Sequence, residues 1–332
     1  MLNGELRLAE EALVPVSGAL ASFGEGALEV FRTTAHGPFL ASRHLARLRR
    51  TCQRLDIPAA GLEQDLVHDL GMLSLAGKGP WRVRLLRSRT DDGVMRALVA
   101  EPFAPSALLE VGARLTMREG IVTPLAMKTT SYVTSRVFSR EARGAGFDEC
   151  LLHFGDELLE GASSNIVLVK QGVLVSPMSP WILEGVTLRR VVELAAELGI
   201  NTDRRRVRVS ELALADEVFM TSAIRGPIPV RQVDGQPFRL GSVFAALRSR
   251  YEEDLRSDWG ELRQEMVPGS RVFLEKRLSS LGQLKDEELD WGGETFLLRW
   301  SMEGAEIRIA APSAGSGLKL RSLGEALRND HR

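Results

Sequence analysis

The sequence predicts an α+β protein of two domains with a small C-terminal appendage. Three observations lead there. Strand-like runs and helical stripes follow one another as hairpins and helices, without the regular βαβ alternation of a parallel sheet. At 332 residues the chain is long for a single core. A proline-bounded stretch, Pro102 to Pro105, separates two such units, and the texture changes again near Glu261. The expected units are an N-terminal α+β domain over 1–105, a second α+β domain over 106–258, and a helix-hairpin module of unknown role over 261–332.

Residues 27 to 34 are rich in strand formers, and a turn over Ala35-His36-Gly37-Pro38 follows. Ser42 is placed to cap a helix with its apolar stripe at Leu45, Leu48, Cys52 and Leu55. Cys52 on that stripe reads as packing. Leu62 to Leu75 is a second helix. Trp81 to Arg87 and Met95 to Ala100 are strands across the polar turn Thr90-Asp91-Asp92-Gly93. Beyond the linker, Ser131 to Arg143 is helical and ends at Gly144 and Gly146. Short strands are expected at Glu149 to Phe154, Ile166 to Val169 and Val173 to Val175. Gly185-Val186-Thr187 leads into a periodic helix, Leu188 to Leu198, stopped by Gly199. Glu217 to Met220 is a strand, and Ser242 to Leu255 a closing helix. In the tail, Val272 to Leu284 reads as a helix, Thr295 to Met302 and Ala305 to Ala310 as a hairpin, and Pro312 to Gly317 as a flexible bridge.

Composition removes several function classes. The formal net charge is -1, which gives no electrostatic footprint for nucleic acid or an acidic membrane. No apolar run approaches the roughly 20 residues of a membrane span. The start, Met1 to Leu6, lacks a basic region followed by an apolar stretch, so no secretion signal is expected. Two cysteines, Cys52 and Cys150, are too few for a disulfide framework, and a reducing cytoplasm is the default. The five histidines show no metal-ligand spacing, so no metal is expected.

The chemistry centres on Lys128. The chain uses arginine for nearly every cation, and its other lysines are Lys78, Lys170, Lys276, Lys285 and Lys319. Arginine cannot replace lysine in forming an imine with an aldehyde, because guanidinium does not lose its proton at usable pH. An imine-forming lysine works with pyridoxal phosphate (PLP), which drains electrons from a bound amino group. That cofactor needs its phosphate held, its pyridine nitrogen kept protonated by a carboxylate, and a lysine able to move protons. Gly185-Val186-Thr187 at a helix start offers N–H groups, a dipole and a hydroxyl to an anion. Glu160 precedes a turn of small residues; taken alone it reads as a surface acid. Arg47, off the apolar stripe, taken alone reads as a solvated or snorkelling arginine.

Together these stretches resemble the class IV aminotransferases, the fold-type IV PLP enzymes, from about Leu2 to Tyr251. Six segments match in order: Phe23 to Val30, His44 to Leu48, Met127 to Tyr132, Glu160 to Asn165, Leu183 to Arg189 and Ala215 to Ser222. The resemblance implies the two-domain fold of the D-amino acid aminotransferases. It also implies that Lys128 carries the cofactor as an imine and shuttles protons, and that Glu160 holds the pyridinium. Arg47, Val186 and Thr187 would bind the phosphate, and Tyr132 would bond near the ring hydroxyl. Ala223 stands where many members have a phosphate-binding threonine; either Ser222 compensates or the grip is looser. The resemblance further implies a homodimer and a small amine or amino acid as substrate.

Within the family, the chain lacks the Arg-x-His clamp of D-amino acid enzymes and the long glycine-rich loops of branched-chain enzymes. Thr221 to Val230 and Trp81 to Leu86 look like 4-amino-4-deoxychorismate lyases, which expel pyruvate and yield 4-aminobenzoate, a folate precursor. Arg225 is then either a substrate-carboxylate contact or an exposed loop arginine. Val30 stands where some lyases have a threonine that assists proton transfer, and Tyr132 is transaminase-like. The lyase is therefore the leading expectation, and a transaminase using 2-oxoglutarate the alternative. A recruited binding protein is the non-enzymatic alternative, against which Lys128 and Glu160 argue.

Overall fold

A computed structural model describes residues 1–8, 11–34, 37–76, 79–91, 93–122 and 124–257, and the backbone of three strands at 286–291, 294–301 and 306–310. The helix expected over 272–284 and the bridge over 312–317 lie outside the described residues.

The N-terminal portion holds α1 (Ala19–Phe23), β1 (Ala27–Thr34), β2 (Gly37–Pro38), α2 (Ala41–Arg54), α3 (Leu62–Ala76), β3 (Trp81–Thr90) and β4 (Gly93–Pro102). The strands form one antiparallel sheet in the order β2-β1-β3-β4. Strand parity decides which face is covered. Ala27, Phe31, Val83 and Leu85 pack on Leu45, Leu48 and Cys52 of α2 and on Leu62 and Leu66 of α3. Cys52 is thus packing, as its stripe position predicts. Helix α2 starts at Ala41 with Leu40 as its N-cap, so Ser42 lies inside the first turn and is not the cap.

The next portion holds α4 (Leu108–Val111), β5 (Ala113–Glu119), α5 (Val133–Gly144), β6 (Glu149–Phe154), β7 (Glu157–Gly161), β8 (Asn165–Lys170) and β9 (Val173–Pro177). It continues with α6 (Val186–Glu197), β10 (Thr202–Arg205), β11 (Val207–Arg208), β12 (Glu217–Ser222), β13 (Gly226–Val233), β14 (Gln236–Pro237) and α7 (Ser242–Ser257). These ten strands form one mixed sheet, ordered β10-β9-β8-β12-β13-β5-β6-β7-β11, with β14 on β13. Strands β8 and β12 are buried on both faces, which explains their unbroken apolar runs. One face packs on α6 and α7 through Val167, Phe219, Val191 and Leu247. The other gathers Leu151, Leu168, Met220 and Ile228. Glu217 of β12, a buried acid, accepts the N–H groups of Val243 (3.1 Å) and Phe244 (2.8 Å) and so caps α7.

Among the strands of five residues or more in these two sheets, three were not foreseen: β5, β7 and β13. β13 carries Pro227 and Pro229, which removes two ladder donors and hides the strand in the sequence. At the C-terminal end, β15 (Asp286–Trp291), β16 (Glu294–Ser301) and β17 (Glu306–Ala310) form an antiparallel sheet; the expected hairpin is β16–β17, and β15 is an addition.

Candidate active site

The two sheets meet along the segment before α5. The Lys128 carbonyl accepts the Leu28 N–H (3.0 Å), and the Thr130 N–H donates to Gly26 (2.9 Å). This short bridge pins Lys128 to the start of β1. The second face of the N-terminal sheet, the one turned away from α2, becomes a wall of a cavity of about 710 Å3. Cavity residues include Val30, Arg47, Lys128, Tyr132, Glu160, Val186, Thr187, Ser222, Ala223 and Arg225. Every site residue singled out in the sequence therefore borders one space.

Lys128 Nζ donates to the Tyr132 hydroxyl at 2.7 Å, four residues onward. Tyr132 is the residue preceding α5, so the helix start fixes the pair. Ser135, in the first turn of α5, bonds the Ala162 carbonyl and ties that helix to the Glu160 segment.

Glu160 lies on strand β7 and is buried, which corrects its isolated reading as a surface acid. Its Oε2 accepts from Asn165 Nδ2 (3.2 Å) and from the Leu183 N–H (3.1 Å). Asn165 also donates to the Leu183 carbonyl at 2.8 Å. A buried carboxylate oriented this way suits a partner that carries a proton on nitrogen.

Arg47 is buried on the inner side of α2, which corrects its isolated reading as a solvated arginine. Its Nε and Nη2 grip Glu29 of β1 at 2.7 and 2.9 Å, and its Nη1 reaches the Glu184 carbonyl at 2.9 Å. His44, one turn before Arg47, bonds Glu29 through Nδ1 at 2.7 Å. A carboxylate only accepts, so Nδ1 carries the proton. Burial works to raise the Glu29 carboxyl, but the Arg47 charge and the bonds from Arg47 and His44 outweigh it and hold it at about 2. Burial lowers His44 below its usual range. Burial also opposes the Arg47 charge, yet Glu29 overrides it and raises that guanidinium.

The start of α6 also borders the cavity. Gly185 is its N-cap and supplies no side-chain bond, so the first-turn N–H groups are available to an anion. A Cβ at Gly185 would collide with the Asn165 amide, so glycine is required by close approach. Tyr251 of α7 backs Thr187; burial pushes its hydroxyl up to about 12.

The cavity and the shell behind it also hold residues that were not assigned. Glu29, Asn165 and Glu149 orient the groups named above. Arg225 Nη2 donates to buried Glu149 (2.8 Å), which also accepts from the Ser163 N–H and the Ser164 hydroxyl. The Ser222 hydroxyl accepts the Arg225 N–H at 3.3 Å. The sheet wall carries Leu28, Val30, Leu86, Ala97 and Val99 as an apolar strip, with Arg82 and Arg84 beside it. Arg82 and Arg84 share the single carboxylate of Glu101. One of these was legible: Glu29 stands at a core-phase position of β1, between Ala27 and Phe31, where a charge requires a partner.

A lysine, a buried acid and an uncapped helix start border one cavity, an arrangement that suits a PLP-dependent enzyme of fold type IV. The family described as amino-transferase class IV matches residues 26–233, and the chain belongs to it. A probable branched-chain-amino-acid aminotransferase of Thermotoga maritima is 29% identical over 269 residues, covering 77% of this chain and 97% of the relative. The crystal structure of 4-amino-4-deoxychorismate lyase from Pseudomonas aeruginosa aligns with a TM-score of 0.68 and 27% identity, covering 77% of this chain and 98% of that one. The branched-chain aminotransferase of Thermoproteus uzoniensis, solved with norvaline, gives 0.70 and 26%, covering 77% and 93%. The cofactor is pyridoxal phosphate. The residues fit it: Arg47 commits three of its five N–H groups to Glu29 and Glu184 and leaves two uncommitted beside the cavity, as an anion-binding group requires. Among the described residues, no helix is long and apolar enough to cross a membrane.

Proposed function

We propose that the chain is a 4-amino-4-deoxychorismate lyase, releasing pyruvate and 4-aminobenzoate. The observation that carries this is the wall of the cavity: an apolar strip with Arg82 and Arg84 beside it on β3. That lining suits a ring substrate bearing more than one carboxylate better than a small aliphatic amino acid. The similarity to the lyase of Pseudomonas aeruginosa supports the same reading.

Bound PLP supplies the electron sink for the substrate amine. Glu160 keeps the pyridine nitrogen protonated. Arg47, the first turn of α6 and Thr187 anchor the phosphate. Lys128 Nζ removes the proton from the amine-bearing ring carbon. The carbon–oxygen bond to the enolpyruvyl group breaks, the ring becomes aromatic, and the departing enol takes a proton and leaves as pyruvate. Tyr132, bonded to Lys128, aims the amine. Val30 borders the reacting carbon, and Arg225 takes a substrate carboxylate after leaving Glu149. Ser222 and Ala223 line the phosphate end. A cytoplasmic homodimer completes the proposal, and sedimentation of the purified protein tests its assembly.

The decisive assay supplies 4-amino-4-deoxychorismate and, separately, an amino donor with 2-oxoglutarate. The lyase reading expects pyruvate and 4-aminobenzoate. No pyruvate, together with conversion of 2-oxoglutarate to glutamate, makes the protein a transaminase instead.

A further inference from the structure

Thr221, near the end of β12, is 1% exposed. Its Oγ1 is closed off from solvent and has no hydrogen-bond partner among the described residues. A buried hydroxyl without a partner costs stability, so its retention calls for a reason. Its surroundings supply one. Strand parity puts Thr221 on the same face as Phe219, which packs with Val186 and Leu188 of α6. Val218 and Met220 face the opposite core. Thr221 stands in register with Asn165, the residue packed against Gly185 at the helix start. It lines the same cavity as Arg47, Val186 and Thr187. The uncapped first turn of α6, Arg47 with its two uncommitted N–H groups, and Thr221 thus line one cavity, with Asn165 linking Thr221 to the helix start. The adjacent Ser222 hydroxyl is engaged with the Arg225 N–H, and Ala223 has none to offer.

We propose that Thr221 is a phosphate-binding residue, its hydroxyl donating to the cofactor's phosphate in place of the hydroxyl missing at Ala223. The inference rests on the cavity being the PLP site. It makes the Thr221 hydroxyl a liability in the cofactor-free protein and an asset in the loaded one. Thr221→Val keeps the shape and removes only the hydroxyl.

The test titrates PLP into cofactor-free wild type, Thr221→Val and Thr221→Val/Ala223→Thr, read by absorbance, with thermal unfolding of each protein before and after loading. Thr221→Val should bind PLP about tenfold more weakly or worse, the weight of one hydrogen bond to a charged group. Its cofactor-free Tm should equal or exceed that of wild type, and Ala223→Thr should restore part of the affinity. Equal PLP affinity in wild type and Thr221→Val would overturn the proposal. So would a lower cofactor-free Tm that accounts for the weaker binding, because the threonine would then be structural. A wild type that takes up no PLP would overturn the reading of the cavity itself, and the proposal with it.

Discussion

Glu29 and Arg47 face each other as a two-pronged ion pair buried between β1 and α2, with Nε–Oε1 at 2.7 Å and Nη2–Oε2 at 2.9 Å. The same guanidinium reaches Glu184 just before α6. One side chain therefore links the N-terminal sheet to the turn that opens α6. Removing either partner leaves a buried charge uncompensated, so Glu29→Ala should cost about 3–5 kcal/mol in chemical denaturation.

The same pair sets an acid limit. Glu29 titrates at about 2 in the folded chain, below its ordinary value of 4.5. The unfolded chain binds the proton first, so this carboxylate stabilises the fold above pH 4.5. Its contribution, roughly 3 kcal/mol, is lost as pH falls from there toward 2. His44, lowered by burial, acts in the same direction below its ordinary 6.5, since the unfolded chain takes that proton first too. Stability measured from pH 7 to pH 3 should decline for wild type, and the slope below pH 4.5 should flatten in Glu29→Gln.

The proposed mechanism gives Lys128 the proton transfer and Tyr132 its aim. Lys128→Ala should remove the visible absorbance of the loaded protein and lower kcat by roughly 10²–10⁴-fold or more, the usual weight of a positioned acid–base group. Borohydride reduction followed by peptide mapping checks the covalent site. Tyr132→Phe removes only the 2.7 Å bond to Nζ. Steady-state kinetics should show kcat reduced about tenfold with KM nearly unchanged, one hydrogen bond's worth of transition-state aim.

Gly185 admits no side chain. Gly185→Ala drives a methyl into the Asn165 amide, which holds both Glu160 and the Leu183 carbonyl. Overpacking of this kind costs about 1–3 kcal/mol. PLP affinity should fall with it, as the acid and the helix start are displaced together. A calorimetric melt and a cofactor titration should therefore change in parallel.

Arg225 is paired with Glu149 in the structure, and the serines on Glu149 let it stay satisfied when Arg225 leaves. Arg225→Ala should raise KM for the carboxylate substrate about tenfold, the loss of one charge-assisted contact, with kcat little altered. An unchanged KM would assign Arg225 to the structure of the Ser222 turn.

What the chain alone determined was chemical and local. Lysine cannot be exchanged for arginine in imine formation, helix starts bind anions, and 3.6-residue periodicity marks α2 and α6. Those rules hold wherever the chain goes, so Lys128, Gly185 to Thr187 and the apolar stripes were legible one segment at a time. The tertiary structure decided everything that depends on distant segments meeting. It turned Arg47 inward, because Glu29, 18 residues away, supplied the countercharge that makes burial tolerable. It placed Glu160 on a strand, because β6 offered its edge to β7. It turned the bare face of the N-terminal sheet into the wall of the site, because the segment holding Lys128 pairs with the start of β1. Long-range pairing has no signature within a short window of sequence, since the energy that selects it arises only once both partners have left water.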